Sequence, residues 1–90
     1  MRNLQEIRKE IDEIDTGMLE LFRRRMAVME EVAQAKREAG IPLTDSVREK
    51  LILDKVAAAC PGLAEEARKF YSTIFALSKE RQSNFSSLEK

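Results

Sequence analysis

From Asn3 to Ala39 the apolar residues keep a heptad rhythm, and no other feature of the chain restricts its fold as much. With Leu4 as an a position, the a and d sites read Leu4, Ile7, Ile11, Ile14, Met18, Leu21, Arg25, Val28, Val32, Ala35 and Ala39, in alternating steps of three and four. This spacing predicts one amphipathic helix of roughly 36 residues, about 54 Å long at about 1.5 Å per residue. A compact chain of 90 residues has a radius of gyration of about 12 Å, so the helix outruns its own fold. The protruding apolar stripe would stand in water, and the sequence predicts that a second copy of the chain covers it, most simply about a two-fold axis.

Asn3 and Glu6 have the spacing of a capping box at the start of this helix, while Gly40 and Pro42 end it, glycine as a left-handed cap and proline as the stop. Gly17, inside the helix, costs roughly 1 kcal/mol relative to alanine; it is either tolerated or the place where another backbone comes close. A second, short helix is predicted from Asp45 or Ser46, where Ser46 and Glu49 repeat the box spacing. Val47, Leu51 and Val56 line one side of it, broadened by Ile52 and Ala57-Ala58-Ala59. Pro61-Gly62 stops it. A third helix is predicted from about Leu63 to about Phe85, with Ala67, Phe70, Tyr71, Ile74, Leu77 and Phe85 inward, and residues 86–90 read as frayed. No segment alternates like a strand. The expected fold is all-α, one domain over 1–90 with one long, one short and one medium helix, two copies of which interlock as a homodimeric helical bundle.

Charge is balanced at 16 basic against 16 acidic residues, which argues against nucleic acid or an anionic membrane as the partner of the whole surface. Cys60 is the only cysteine and histidine is absent. No intramolecular disulfide can form, no cysteine cluster can hold a metal, and the commonest general acid–base is missing. The amino-terminal run MRNLQEIRKE has no apolar stretch like that of a signal peptide, and no window reaches the length of a membrane span. A cytoplasmic protein is the expectation.

The chemical signal lies in polar residues that break apolar faces. Arg25 occupies a seam position, where a cation is costly unless something negative meets it. Arg8 and Lys36 flank the same seam. Eleven residues separate Arg25 from Lys36, close to three turns, which puts both on one face about 16 Å apart along the axis. Long side chains could close on a small anion between them. Seventeen residues separate Arg8 from Arg25, about 25 Å of helix, so Arg8 could complete such a site only in the other chain of an antiparallel pair. The second helix adds Asp45, Arg48 and Glu49. The third adds Ser78 and Gln82, four residues apart and therefore stacked on the stripe of Tyr71, Ile74 and Phe75, where polar groups need partners.

Each of these residues has an ordinary explanation when taken alone. Arg25 could be a register device paired across a dimer, Arg8 and Lys36 snorkelling side chains, and Asp45 a helix cap. Arg48 and Glu49 could form a solvated face, and Ser78 and Gln82 could lie near a fraying helix end. One pocket for a small dianion that carries a hydroxyl or ether oxygen accounts for all of them together.

The order of these residues resembles the small all-helical chorismate mutases of the AroQ class. It runs from Arg8 through Asp15, Arg25 and Lys36, to Gly40-Ile41-Pro42 with Asp45-Ser46-Val47-Arg48-Glu49, and on to Ser78-Lys79-Glu80-Arg81-Gln82. The resemblance spans nearly the whole chain. It implies an intertwined homodimer with two identical sites that converts chorismate to prephenate in aromatic amino-acid synthesis. By position it implies that Arg25 and Arg48 bind substrate within one protomer, while Arg8 reaches in from the other to hold a carboxylate. It further implies that Lys36 and Gln82 hydrogen-bond the ether oxygen, that Glu49 accepts from the ring hydroxyl with Asp45 in support, and that Ser78 sits at the carboxylate end.

A Claisen-type rearrangement of this kind needs no nucleophile, metal or cofactor. It needs the substrate held in a compact chair and charge stabilised on the ether oxygen. A second phase of the third helix would move Gln82 to the Ser78 role and Ser86 to the Gln82 role; the first phase keeps Tyr71 and Ile74 inward. Two other functions fit the same residues. One is an isochorismate pyruvate lyase on the same scaffold, and the other is a non-catalytic helical dimerisation or sensor module that partners another shikimate-pathway enzyme.

Overall fold

Helix formation follows the caps that the sequence provides. In the computed structural model, which describes residues 1–88 with side chains to Phe85, α1 spans Leu4–Ala39, α2 spans Ser46–Ala59 and α3 spans Ala64–Leu88. No strand occurs among the described residues. The Asn3 side chain accepts from the Glu6 backbone N–H at 2.9 Å, and its amide donates back to the Glu6 carboxylate at 3.2 Å, a side-chain version of the reciprocal cap. At the far end of α1, Gly40 takes φ 68°, a left-handed conformation that residues with a Cβ avoid. Its N–H donates to the Arg37 carbonyl at 3.2 Å, and the Ile41 N–H donates to the Lys36 carbonyl at 2.8 Å, the paired bonds that close a helix and reverse the chain.

Asp45, not Ser46, caps α2, accepting from the Arg48 N–H at 3.0 Å. The box spacing of Ser46 and Glu49 is not used as a box, because the Glu49 carboxylate turns instead to α3. α3 itself continues past its predicted end near Phe85 to Leu88. The register that would place Ser86 in the site concerns a side chain outside the described ones.

α3 is the central element, packed against both α1 and α2, while α1 and α2 make no close backbone approach to each other among the described residues. Arg81 on α3 also pairs with Glu30 on α1. The chain measures 56 × 27 × 14 Å with a radius of gyration of 16.6 Å, against about 12 Å for a compact chain of this length. The long dimension is α1 itself, as the heptad count predicts. A single layer of helices has little interior, and the buried apolar residues among those described are Ala33, Ala57, Ile74 and Phe75. The seam residues Leu4, Ile11, Ile14, Met18, Leu21 and Val28 are exposed, so the protruding stripe is present and its own chain leaves it open.

Some inward assignments change. Val47 and Leu51 on α2 are exposed, because a helix that meets only α3 covers one narrow side, and that side carries Ile52, Leu53, Val56 and Ala57. On α3, Phe70 and Leu77 are exposed, and the inner line runs through Tyr71, Ile74, Phe75, Ser78 and Gln82, one helical stripe. Nothing of the same chain lies within 4 Å of where a Cβ on Gly17 would sit, so the chain's own packing does not require glycine there.

Candidate active site

The inner stripe of α3 buries polar groups more completely than apolar ones. Ser78 is 5% and Gln82 4% exposed, against 8% for Ile74. Buried polar atoms are costly without partners, and every buried side-chain nitrogen and oxygen among the described residues has one.

The main partners come from α1. Arg25 Nη1 donates to Ser78 Oγ at 2.6 Å, and Ser78 Oγ donates on to the Ile74 carbonyl at 2.7 Å. Lys36 Nζ donates to Gln82 Oε1 at 3.2 Å and to the Leu43 carbonyl at 2.7 Å. Gln82 Nε2 in turn donates to Met29 Sδ at 3.7 Å. Eleven residues on α1 are thereby matched to four on α3, about 16 Å of axis against about 6 Å, a difference absorbed by the reach of Arg25 and Lys36. The Gly40 turn matters here, since it returns the chain so that the Leu43 carbonyl meets the ammonium of Lys36. All these partners are neutral. They hold the two cations in place without cancelling their charge.

The same residues line one cleft of about 160 Å³. α1 contributes Arg25, Met29, Val32 and Lys36; the turn, Leu43 and Asp45; α2, Arg48, Glu49 and Ile52; and α3, Phe75, Ser78, Lys79 and Gln82. Seven of the eight residues singled out in the sequence therefore meet in one place: Arg25, Lys36, Asp45, Arg48, Glu49, Ser78 and Gln82. Asp45 and Arg48 are exposed at its rim, and Glu49 is half-buried. The eighth, Arg8, is exposed and forms no part of this cleft, as its distance along α1 requires.

Lys79 is the charged cleft residue that the sequence did not single out as a candidate. Its Nζ stands 3.1 Å from Glu49 Oε2, bridging α3 to α2. The available signal was its place one residue after Ser78, about 100° further round the helix, which turns it from the α1 side towards α2. With Lys79 included, the cleft carries four cationic side chains, Arg25, Lys36, Arg48 and Lys79, and two carboxylates, Asp45 and Glu49. The excess is two positive charges, beside apolar walls from Val32, Ile52 and Phe75. That balance suits a small organic dianion. Among the described residues no group of three or more His, Cys, Asp or Glu is placed to hold a metal ion, and no helix is long and apolar enough to cross a membrane.

Comparison with known proteins bears on the family and the fold. The chain is similar to the chorismate mutase (form II) of Thermus thermophilus, with a TM-score of 0.85 and 30% identity, over 91% of this chain and 96% of that one. It is 43% identical over 60 residues to a chorismate mutase of Methanocaldococcus jannaschii, a match that covers 67% of this chain and 61% of the other. It is also 36% identical over 56 residues to the bifunctional chorismate mutase/prephenate dehydratase of Aquifex aeolicus, covering 62% of this chain and 16% of that protein. The chain thus spans less than two thirds of the length of these curated relatives. The family model for chorismate mutase type II matches residues 7–83, a stretch that takes in α2 whole, most of α1 and α3 and every candidate residue from Arg8 to Gln82, and the chain belongs to that family.

Proposed function

We propose that the chain catalyses the rearrangement of chorismate to prephenate, by holding its substrate rather than by reacting with it. The observation that carries this reading is the pair of contacts Arg25–Ser78 and Lys36–Gln82, which set two cations and an amide in a single cleft with an excess of two positive charges. In this reaction one carbon–oxygen bond breaks while one carbon–carbon bond forms, and no proton leaves the substrate. Arg25 and, at the rim, Arg48 hold carboxylate groups, with Ser78 at the same end. Lys36 Nζ and Gln82 Nε2 donate to the ether oxygen as negative charge collects on it, and donors already fixed in place need no rearrangement at that moment. Glu49 accepts from the ring hydroxyl and Asp45 supports it. Restraint of the flexible substrate in its reactive chair supplies the remainder of the rate.

The functional unit in this reading is a homodimer. Its support is the open seam of α1 together with an apolar hollow of about 410 Å³ between α1 and α3, where Met18, Phe22, Phe70 and Leu77 face solvent. Arg8 enters the cleft of the other protomer and holds a carboxylate. The reaction places this single domain in aromatic amino-acid synthesis, in the cytoplasm, with no cofactor.

Incubation of the purified protein with chorismate, and separately with isochorismate, tests this. Prephenate formed well above the uncatalysed rate is expected. Salicylate and pyruvate from isochorismate alone would reassign the cleft to lyase chemistry, and turnover of neither compound would leave a binding or dimerisation module.

A further inference from the structure

The roles above leave Lys79 without a part, although it makes the contact that joins α2 to α3 inside the cleft. Lys79 Nζ and Glu49 Oε2 are 3.1 Å apart, with side chains 37% and 26% exposed. By contrast the pair Lys50–Asp54 lies within one helix at 77% and 56% exposure, the sort of surface pairing that contributes little. The other carboxylate of the cleft, Asp45, is already engaged by the Arg48 N–H, so it is on Glu49 that Lys79 acts.

We propose that Lys79 is a positioning residue for recognition of the substrate: its ammonium anchors one oxygen of Glu49, fixing how the carboxylate meets a hydroxyl of the guest, and offsets the repulsion between Glu49 and a dianion. This rests on the chorismate reading above. A free glutamate side chain samples several rotamers, and an ion pair that selects one removes that ordering cost from the binding step. The anchor also explains how a carboxylate is tolerated where two further negative charges must enter. Lys79 does this without touching the reacting atoms.

The test compares the parent chain, Lys79→Met, Lys79→Arg, Glu49→Gln and the double variant, by kcat and KM for chorismate and by calorimetric Kd for prephenate. For Lys79→Met, KM and Kd should rise about tenfold while kcat changes less than about threefold. Lys79→Arg should stay within about threefold of the parent. In the Glu49→Gln background, Lys79→Met should cost no more than about threefold, the loss of one cleft cation alone, because no carboxylate is left to anchor. An unchanged KM and Kd for Lys79→Met, or an equal loss in both backgrounds, would overturn the proposal. If Lys79→Met does not fold, Lys79→Gln makes the same comparison. A parent that binds prephenate without converting chorismate would overturn the reaction but leave the Kd comparison decisive for Lys79; a parent that does neither overturns both.

Discussion

Lys36 Nζ donates to Gln82 Oε1 at 3.2 Å, and this contact determines which end of the glutamine amide is free to act. With Oε1 turned to the ammonium, Nε2 faces Met29 Sδ at 3.7 Å. A thioether is a weak acceptor, so an oxygen that gains negative charge can draw that N–H away from it at little loss. The inverted amide would set N–H groups against an ammonium. In the proposed reaction Lys36 would then act twice, as a donor in its own right and as the residue that orients the second donor.

Lys36→Ala and Gln82→Ala should each lower kcat by roughly 10²- to 10³-fold, with helical content unchanged by circular dichroism. Steady-state kinetics on chorismate checks this. Near-full turnover by Lys36→Ala would remove its assigned role at the ether oxygen.

Arg8 lies outside the cleft of its own chain, which makes sharing between chains directly measurable. Arg8→Ala and Arg25→Ala should each be nearly inactive alone. When the two are mixed and exchanged, each heterodimer regains one complete site, with Arg25 from one chain and Arg8 from the other. Stable heterodimers with no regained activity would show that Arg8 has no part in the site.

Leu21 is 61% exposed in the chain, and an exposed leucine replaced by aspartate ordinarily changes stability by no more than about 0.5 kcal/mol. If the seam of α1 closes against a second copy, the same change puts a charge into an apolar interface at a cost of several kcal/mol. Light scattering after size exclusion should then find the parent dimeric and Leu21→Asp dissociated and inactive. A parent that is monomeric and active would end the dimer reading.

Gly40 takes a left-handed conformation, and alanine there should cost about 1 to 2 kcal/mol. Chemical denaturation measures the loss. Because the same turn delivers the Leu43 carbonyl to Lys36, kcat should fall together with stability.

Much of this arrangement is legible in residue order, for identifiable reasons. The heptad of α1 is long enough for its period to be unambiguous, and Asn3, Gly40 and Pro42 delimit it. Ser78 and Gln82 stand out because they are polar on a stripe that also carries Ile74 and Phe75. α2 is harder to read. Within its 14 residues, Val47, Leu51, Ile52 and Val56 spread over more than one face, and only the position of α3 selects Ile52 and Val56 for the inside. Lys79 was illegible for a different reason. In a chain that is 36% charged, one more lysine reads as solvated until Glu49 is seen 3.1 Å away. Phe70 and Leu77 keep inward periodicity on α3 yet are exposed, since periodicity marks an apolar face without saying which chain will cover it.

The 14 Å thickness of the chain is little more than one helix with its side chains, roughly 10–12 Å. With two alanines, one isoleucine and one phenylalanine as the fully buried apolar residues among those described, the lone chain has a small core to set against the entropy of ordering. If the homodimer is the folded unit, shape is acquired in a second-order event, with collision and ordering inseparable. The melting temperature should climb with protein concentration, and sufficient dilution should abolish structure and turnover in the same step.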